Sequence, residues 1–346
     1  MAYSKLDDYL VHQNPTTLDQ VVNNHPNWTD RFYFNCHPKD GSLLLTTGYG
    51  FYPNRGNAHA YGKLSLADGR YWEADGFQEQ TERRLDAVAG PFHFEILEPM
   101  QRWRLQLAPN ASGLSFDIEF KARAPLWHLK PILIKKNDEI IVEQQHIQQS
   151  AYYEGEIRAG GETISVNGFY GGRDRTWGIR NHAKIDMWLW FAAQFDDRAI
   201  AAWLWEGKDG TLHYVDGGFC HEDGTLSKRF VRFEPTIEFD GMTKKPKVAQ
   251  VLFVDEDGQE YHLKATEGHS NVCVYYAPPI DQGGGFPVDM GNPAVQAKVA
   301  AVAMSNDKLM RYELNGMTGC GIFETWVCGD GYDKWAHAYP SAPMPE

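Results

Sequence analysis

The chain has no run of about 18 apolar residues, the length a membrane-spanning helix needs. Its start, Met1-Ala-Tyr-Ser-Lys-Leu-Asp-Asp-Tyr-Leu10, lacks the apolar segment of a secretion signal. Both absences predict a cytoplasmic protein with no membrane span. Cysteine is scarce and scattered. Cys36, Cys220, Cys273, Cys320 and Cys328 include no C-x-x-C pair, which excludes a zinc ribbon or a dithiol redox centre and predicts reduced, structural thiols. Positive charge is in deficit: Lys and Arg number 33 against 46 Asp and Glu, a net charge of -13. Without a basic run nothing neutralises phosphates, so nucleic acid is excluded as a partner. Glycine-rich cradles are missing too, since no G-x-G-x-x-G follows a strand and neither a P-loop nor a G-x-S-x-G elbow occurs. No set of His, Cys, Asp and Glu stands at metal-ligand spacing. The sequence predicts neither cofactor nor metal, and it leaves homo-oligomerisation open.

What is plentiful is aromatic surface: 11 Trp, 17 Tyr and 18 Phe among 346 residues, residues that suit strands and pocket walls. Asp-Gly pairs begin at Asp40, Asp68, Asp75, Asp209, Asp216, Asp223, Asp240, Asp257 and Asp330, each suited to a tight hairpin turn. Between them lie short alternating runs such as residues 31–36, 92–97, 102–107, 114–120 and 247–254. This pattern predicts an all-β protein of antiparallel barrels or sandwiches, repeated twice. The polar stretch Gln144-Gln-His-Ile-Gln-Gln149 suggests a boundary, giving domains of residues 1–148 and 149–346. Helical signals are confined to residues 17–23 and to the Ala-rich residues 293–303.

Charge gathers in one place. Gly168-Phe-Tyr-Gly-Gly-Arg-Asp-Arg-Thr-Trp-Gly-Ile-Arg-Asn-His182 runs straight into Met187-Trp-Leu-Trp-Phe191. Such density beside apolar strands is costly to bury unless paired, so it marks a latch or a site. If residues 163–178 form a strand ending in a Gly171-Gly172 break, Arg173, Arg175 and Trp177 share one side and Asp174 and Thr176 the other. An inward Asp174 in an aromatic cavity has a raised pKa and suits proton transfer; paired with Arg180, it is a latch. His182 is the second acid-base candidate. Trp188 and Trp190 share one face of a hairpin with Trp203 and Trp205 opposite, a wide apolar wall or a packed core. Tyr49 lies in a second aromatic segment, Thr46–Pro53, flanked by His37 and His59, and with Tyr52 and Tyr61 it either joins this cavity or fills a core.

Gly171-Gly-Arg-Asp-Arg-Thr-Trp-Gly178 resembles the Gly-x-x-Asp-His-x-Trp-Gly signature of the hydroxyneurosporene synthase (carotenoid 1,2-hydratase) superfamily. Looser similarity extends to Tyr153–Gly160 and Asn315–Glu324. The resemblance implies two lipocalin-type (calycin-like) barrels in tandem, the second carrying the motif. It also implies a lyase or isomerase of the hydratase or cyclase kind, acting without a cofactor on a lipophilic terpenoid, steroid or polyketide-like substrate. Asp174 takes the place of the motif's Asp and Trp177 that of its Trp, while Arg175 stands where many members carry His. On this reading Asp174, Arg173, Arg175 and His182 are catalytic, and Trp177, Arg180, Trp188, Trp190, Trp203, Tyr49 and His59 bind substrate. Two alternatives stay open: a non-catalytic carrier of hydrophobic small molecules, and a structural or sugar-binding β-sandwich.

Overall fold

A computed structural model describes residues 20–79, 87–239, 245–267, 272–276, 305–327 and 332–335, with residues 8, 10, 12 and 15–18. Its strands form two nearly closed antiparallel barrels in tandem. The first sheet runs in the spatial order Tyr71–Glu79, Asn57–Leu66, Leu43–Tyr52, Trp28–His37, Phe169–Arg180, Glu139–Ala159, Leu114–Ala122, Arg102–Leu107, Phe92–Glu98 and Ala87–Ala89. The second runs Leu212–His221, Arg198–Glu206, Met187–Gln194, Met317–Val327, Ser305–Leu314, Glu260–Glu267, Pro246–Asp255 and Phe230–Phe239. Gly76 lets the two edges of the first sheet meet, because a Cβ there would lie 2.2 Å from the Ala89 carbonyl oxygen. Among the described residues no helix is long and apolar enough to cross a membrane.

The expected turns form at Gly41, Gly69, Gly210, Gly224 and Gly258, all with positive φ. Asp75-Gly76 and Asp216-Gly217 instead lie within strands. Buried Asp216 is held there by Arg229, at 2.6 Å, and by the Lys130 amide. Asp240 and Asp330 fall outside the described residues. The described residues among 17–23 form no regular helix; one turn closes where the Gln20 amide meets the Thr17 carbonyl. Residues 293–303 lie outside the described residues.

The boundary expected between residues 148 and 149 falls inside the strand Glu139–Ala159, which pairs along its length with strands of the first sheet. The change of sheet comes between Arg180 and Met187. The motif strand therefore belongs to the first barrel and not the second. The polar run reads as a linker in sequence, but this strand turns Gln144, His146 and Gln148 toward the other barrel, where they are buried.

Three cores hold the molecule together. Phe34, Phe92, Phe94, Trp103 and Phe120 fill the first barrel, and Phe191, Phe230, Phe253 and Phe323 the second. Between the barrels lies a third, with Trp127, Trp188, Trp190, Trp203, Trp205 and Trp326. Each large side chain buried there is worth about 2 kcal/mol in apolar transfer, so the barrels are joined by packing and not only by the chain. Cys36, Cys220 and Cys320 are buried free thiols.

Candidate active site

The motif strand Phe169–Arg180 lies between Trp28–His37 and Glu139–Ala159 and runs through Gly171-Gly172 without a break. Its glycines serve close approach: a Cβ at Gly171 would come 2.0 Å from the Asn35 carbonyl oxygen, and one at Gly178 2.2 Å from that of Glu143. Strand alternation then sorts the motif. Arg173, Arg175 and Trp177 turn into the first barrel, and Asp174, Thr176 and Arg180 toward the second.

Asp174 opens on a pocket of about 70 Å³ between the barrels. The first barrel supplies Arg31, Tyr33, Tyr61, Asp174 and Arg180, the connecting segment supplies His182, and the second barrel supplies Trp188, Asp307, Glu324 and Trp326. Register explains the grouping. Asp174 stands opposite Tyr33, Tyr33 opposite Gly48, and Gly48 opposite Tyr61, one row across adjoining strands. Gly48 leaves room for the Tyr61 ring, which a Cβ would approach to 2.8 Å. In the second sheet Glu324 stands opposite Trp190 on one side and Asp307 on the other.

The polar groups are largely tied to one another. Tyr33 donates to Asp307 Oδ2 at 2.8 Å, Trp188 Nε1 to Glu324 Oε1 at 2.9 Å, and Arg31 Nη1 to His182 Nε2 at 3.2 Å. Asp174 is an exception, since its carboxylate receives no hydrogen bond or ion pair from a described residue. Burial pushes this carboxyl up to about 7 against the opposing pull of Arg180 and Arg31. Arg180 is pushed down to about 10, first by burial and then by Arg31. Its buried Nε has no hydrogen-bond partner among the described residues, and its guanidinium lies 5.8 Å from the Trp188 ring centroid and 5.7 Å from that of Trp203. Burial, then Arg180 and Arg31, hold the His182 imidazole well below its ordinary value. Neutral His182 accepts from Arg31, so it orients that arginine and its Nε2 lone pair is already engaged.

Of the residues expected from the sequence, Asp174, Arg180, His182 and Trp188 share this pocket. The arginine cluster is divided. Arg173 donates to Gln149 at 3.0 Å and lies 5.5 Å from the ring centroids of Trp103 and Phe120 inside the first barrel, where burial lowers it to about 10. Arg175 pairs with Asp30 at 2.9 Å and, with Trp177, lines a separate cavity. The tryptophans form no open wall: Trp188 stacks on Trp326 at 4.2 Å, Trp203 lies 4.9 Å from Trp205 and 4.4 Å from His146, and Trp190 meets Tyr33 at 5.6 Å. Tyr49 packs against Phe32 and Phe94 in the first core, and His59 pairs with Asp75 at 3.2 Å. Neither lines the pocket, which takes Tyr61 from that region instead.

Sequence reading missed Arg31, Tyr33, Asp307 and Glu324. Arg31-Phe-Tyr-Phe-Asn35 carried a signal, because its alternation puts Arg31, Tyr33 and Asn35 on one face. Glu324 closes a segment similar to the superfamily. Asp307 had no signal of its own, being placed by pairing with Glu324.

Fold and site together define a tandem lipocalin-type barrel protein with a charged pocket between its barrels, and the resemblance to the carotenoid 1,2-hydratase-like superfamily holds at the level of the fold. Residues 3–267 match the model of a family of unknown function (DUF8625), so the chain belongs to that family. No curated protein matches the sequence. Among solved structures it is similar to an AttH candidate from Nitrosomonas europaea, with TM-score 0.61 and 15% identity over 86% of this chain and 92% of that one. It is also similar to kievitone hydratase from Nectria haematococca, with TM-score 0.55 and 12% identity over 90% of this chain and 92% of that one. A third similar structure is CghA, with TM-score 0.60 and 12% identity over 89% of this chain and 90% of that one.

Proposed function

We propose that the protein is a cofactor-independent lyase or isomerase acting on a lipophilic, oxygen-bearing substrate of terpenoid, steroid or polyketide type. On this reading Asp174 is its acid-base group. The observation that carries the reading is Asp174 itself: a carboxyl without a hydrogen-bond partner among the described residues, pushed up to about 7 by burial and facing a pocket with two arginines. A carboxyl poised near pH 7 both gives and takes a proton at useful rates. The hydratase among the structural relatives supports the same class of chemistry.

For a hydration, protonated Asp174 adds its proton to one alkene carbon and water oxygen bonds to the other. Tyr33 takes the proton the water loses while its own passes to Asp307, 2.8 Å away. Asp174 ends one proton short and Asp307 one proton richer, and exchange with solvent restores both. Elimination of water is the same sequence reversed. Arg31 and Arg180 suit a substrate oxygen that gains negative charge. The pocket's volume of about 70 Å³ is that of roughly two waters, so it admits only the reacting end of such a substrate.

The test is mass spectrometry of kievitone and a panel of lipophilic enones, alkenes and alcohols incubated in oxygen-18 water with wild type and Asp174→Asn. Heavy oxygen in a product with wild type alone supports hydration through Asp174, and an isomer of unchanged mass supports cyclisation. Equal product from both proteins sinks the assignment of Asp174.

A further inference from the structure

The two faces of the motif strand look onto two different cavities. Behind Asp174, at the open end of the first barrel, Arg175 and Trp177 line a cavity of about 800 Å³. That lies within the roughly 300–1,000 Å³ of small-ligand pockets. Its apolar walls come from Trp28, Leu126, Ile147 and Trp177, with Leu18 and Val21 contributed from ahead of the first strand. Deeper in, the barrel is full, because Trp103 packs against Phe32 at 4.9 Å and Phe34 at 5.6 Å. A ligand therefore seats at the mouth.

Two charged side chains line this cup, Arg175 and its partner Asp30. Arg175 donates through Nη2 to Asp30 at 2.9 Å, and its guanidinium lies 4.8 Å from the Phe32 ring centroid and 5.6 Å from that of Trp177. Its remaining N–H groups carry no hydrogen bond to a described residue, and 27% of the side chain is exposed. Two rings and a carboxylate thus fix a donor whose open N–H groups face an apolar space. The same arrangement explains why an arginine is tolerated in this motif: it does not share a pocket with Asp174.

We infer that the mouth of the first barrel is a second ligand site, separate from the pocket of Asp174, for a lipophilic molecule whose neutral oxygen, a hydroxyl, ketone or ester, is received by Arg175. The head group follows from charge. Asp30 sits 2.9 Å from the Arg175 guanidinium, so an anionic head received by Arg175 would be set beside that carboxylate, which repels it. The site stands whether or not Asp174 is catalytic.

Retinol and retinoic acid, alike in their apolar part and opposite in head-group charge, are the probes, read by the rise in their own fluorescence or by tryptophan quenching. Wild type is expected to bind one retinol per chain and to bind retinoic acid at least about tenfold more weakly. Leu126→Trp fills the half-buried rim and Trp177→Ala removes a wall, and each should weaken retinol about tenfold or more. Asp174→Asn should stay within about twofold of wild type. Thermal melting checks that the variants fold; Leu126→Trp, at a rim position, keeps the test available if Trp177→Ala does not. Failure of wild type to bind retinol, binding by Leu126→Trp equal to wild type, or loss of binding in Asp174→Asn would each overturn the site. Retinoic acid binding as tightly as retinol would overturn the neutral head group.

Discussion

Tyr33 and Asp307 belong to different barrels, yet the Tyr33 hydroxyl donates to Asp307 Oδ2 at 2.8 Å in the row that holds Asp174. Burial, with Asp307 adding to it, keeps this phenol well above its ordinary value, so it is protonated whenever the protein is folded. Asp307 is itself buried. Tyr33→Phe takes a donor from that carboxylate, and the expected cost is about 1–3 kcal/mol in urea unfolding. Turnover on any substrate found by the heavy-water screen should fall about 10²- to 10⁴-fold, the usual contribution of a positioned proton-transfer group. Unchanged turnover would remove Tyr33 from the proposed proton path.

Asp174→Asn separates a site from a latch. A carboxyl raised from 3.8 to about 7 in the folded state is more readily protonated there than in the unfolded chain. The wild type therefore loses stability as pH rises from about 4 to 7. Asn carries no charge at any pH, so the variant should match wild type near pH 4 and exceed it above pH 7 by up to about 4 kcal/mol. Thermal melts at pH 5 and pH 8 check this. A variant less stable than wild type at pH 8 would mean that Asp174 is a structural ion-pair partner after all.

His37 works in the opposite direction. It is fully buried, its Nδ1 meets the Pro38 carbonyl at 3.1 Å, and burial lowers it to about 4. The unfolded chain takes up a proton below about pH 6.5 while the folded one does not until about pH 4. Stability therefore drains away as pH falls across that window, by up to about 3 kcal/mol for this residue. His37→Phe should flatten the acid side of the stability profile between pH 6.5 and 4, measured by urea unfolding at each pH. An unaltered slope would show that the acid loss comes from other groups.

The fold was legible because its signals are local. Asp-Gly turns at Gly41, Gly69 and Gly224 and the alternating runs between them each specify a hairpin within a few residues. The sides of the motif strand were legible for the same reason, since a period of two assigns Asp174 and Arg175 to opposite faces wherever the strand lies. What the sequence hid was pairing at a distance. Asp307 stands some 130 residues from Asp174, and only the docking of one barrel on the other brings Tyr33 to it. The domain boundary was hidden by a related effect: Gln144, His146 and Gln148 look like a linker to any reading that assumes polar residues are wet. Alternation leaves the tryptophans as either a wall or a packed core, because it gives the face but not the rings that cover it, and Trp188 is covered by Trp326.

Carbon-13 NMR of side-chain carboxyls, titrated from pH 4 to 9 in wild type and Asp174→Asn, tests the central claim that Asp174 is a partly protonated acid-base group between the barrels. One carboxyl resonance with a midpoint near pH 7, absent from the variant spectrum, is the predicted result. An Asp174 resonance that titrates below about pH 5 would show an ordinary ionised carboxylate and contradict the account.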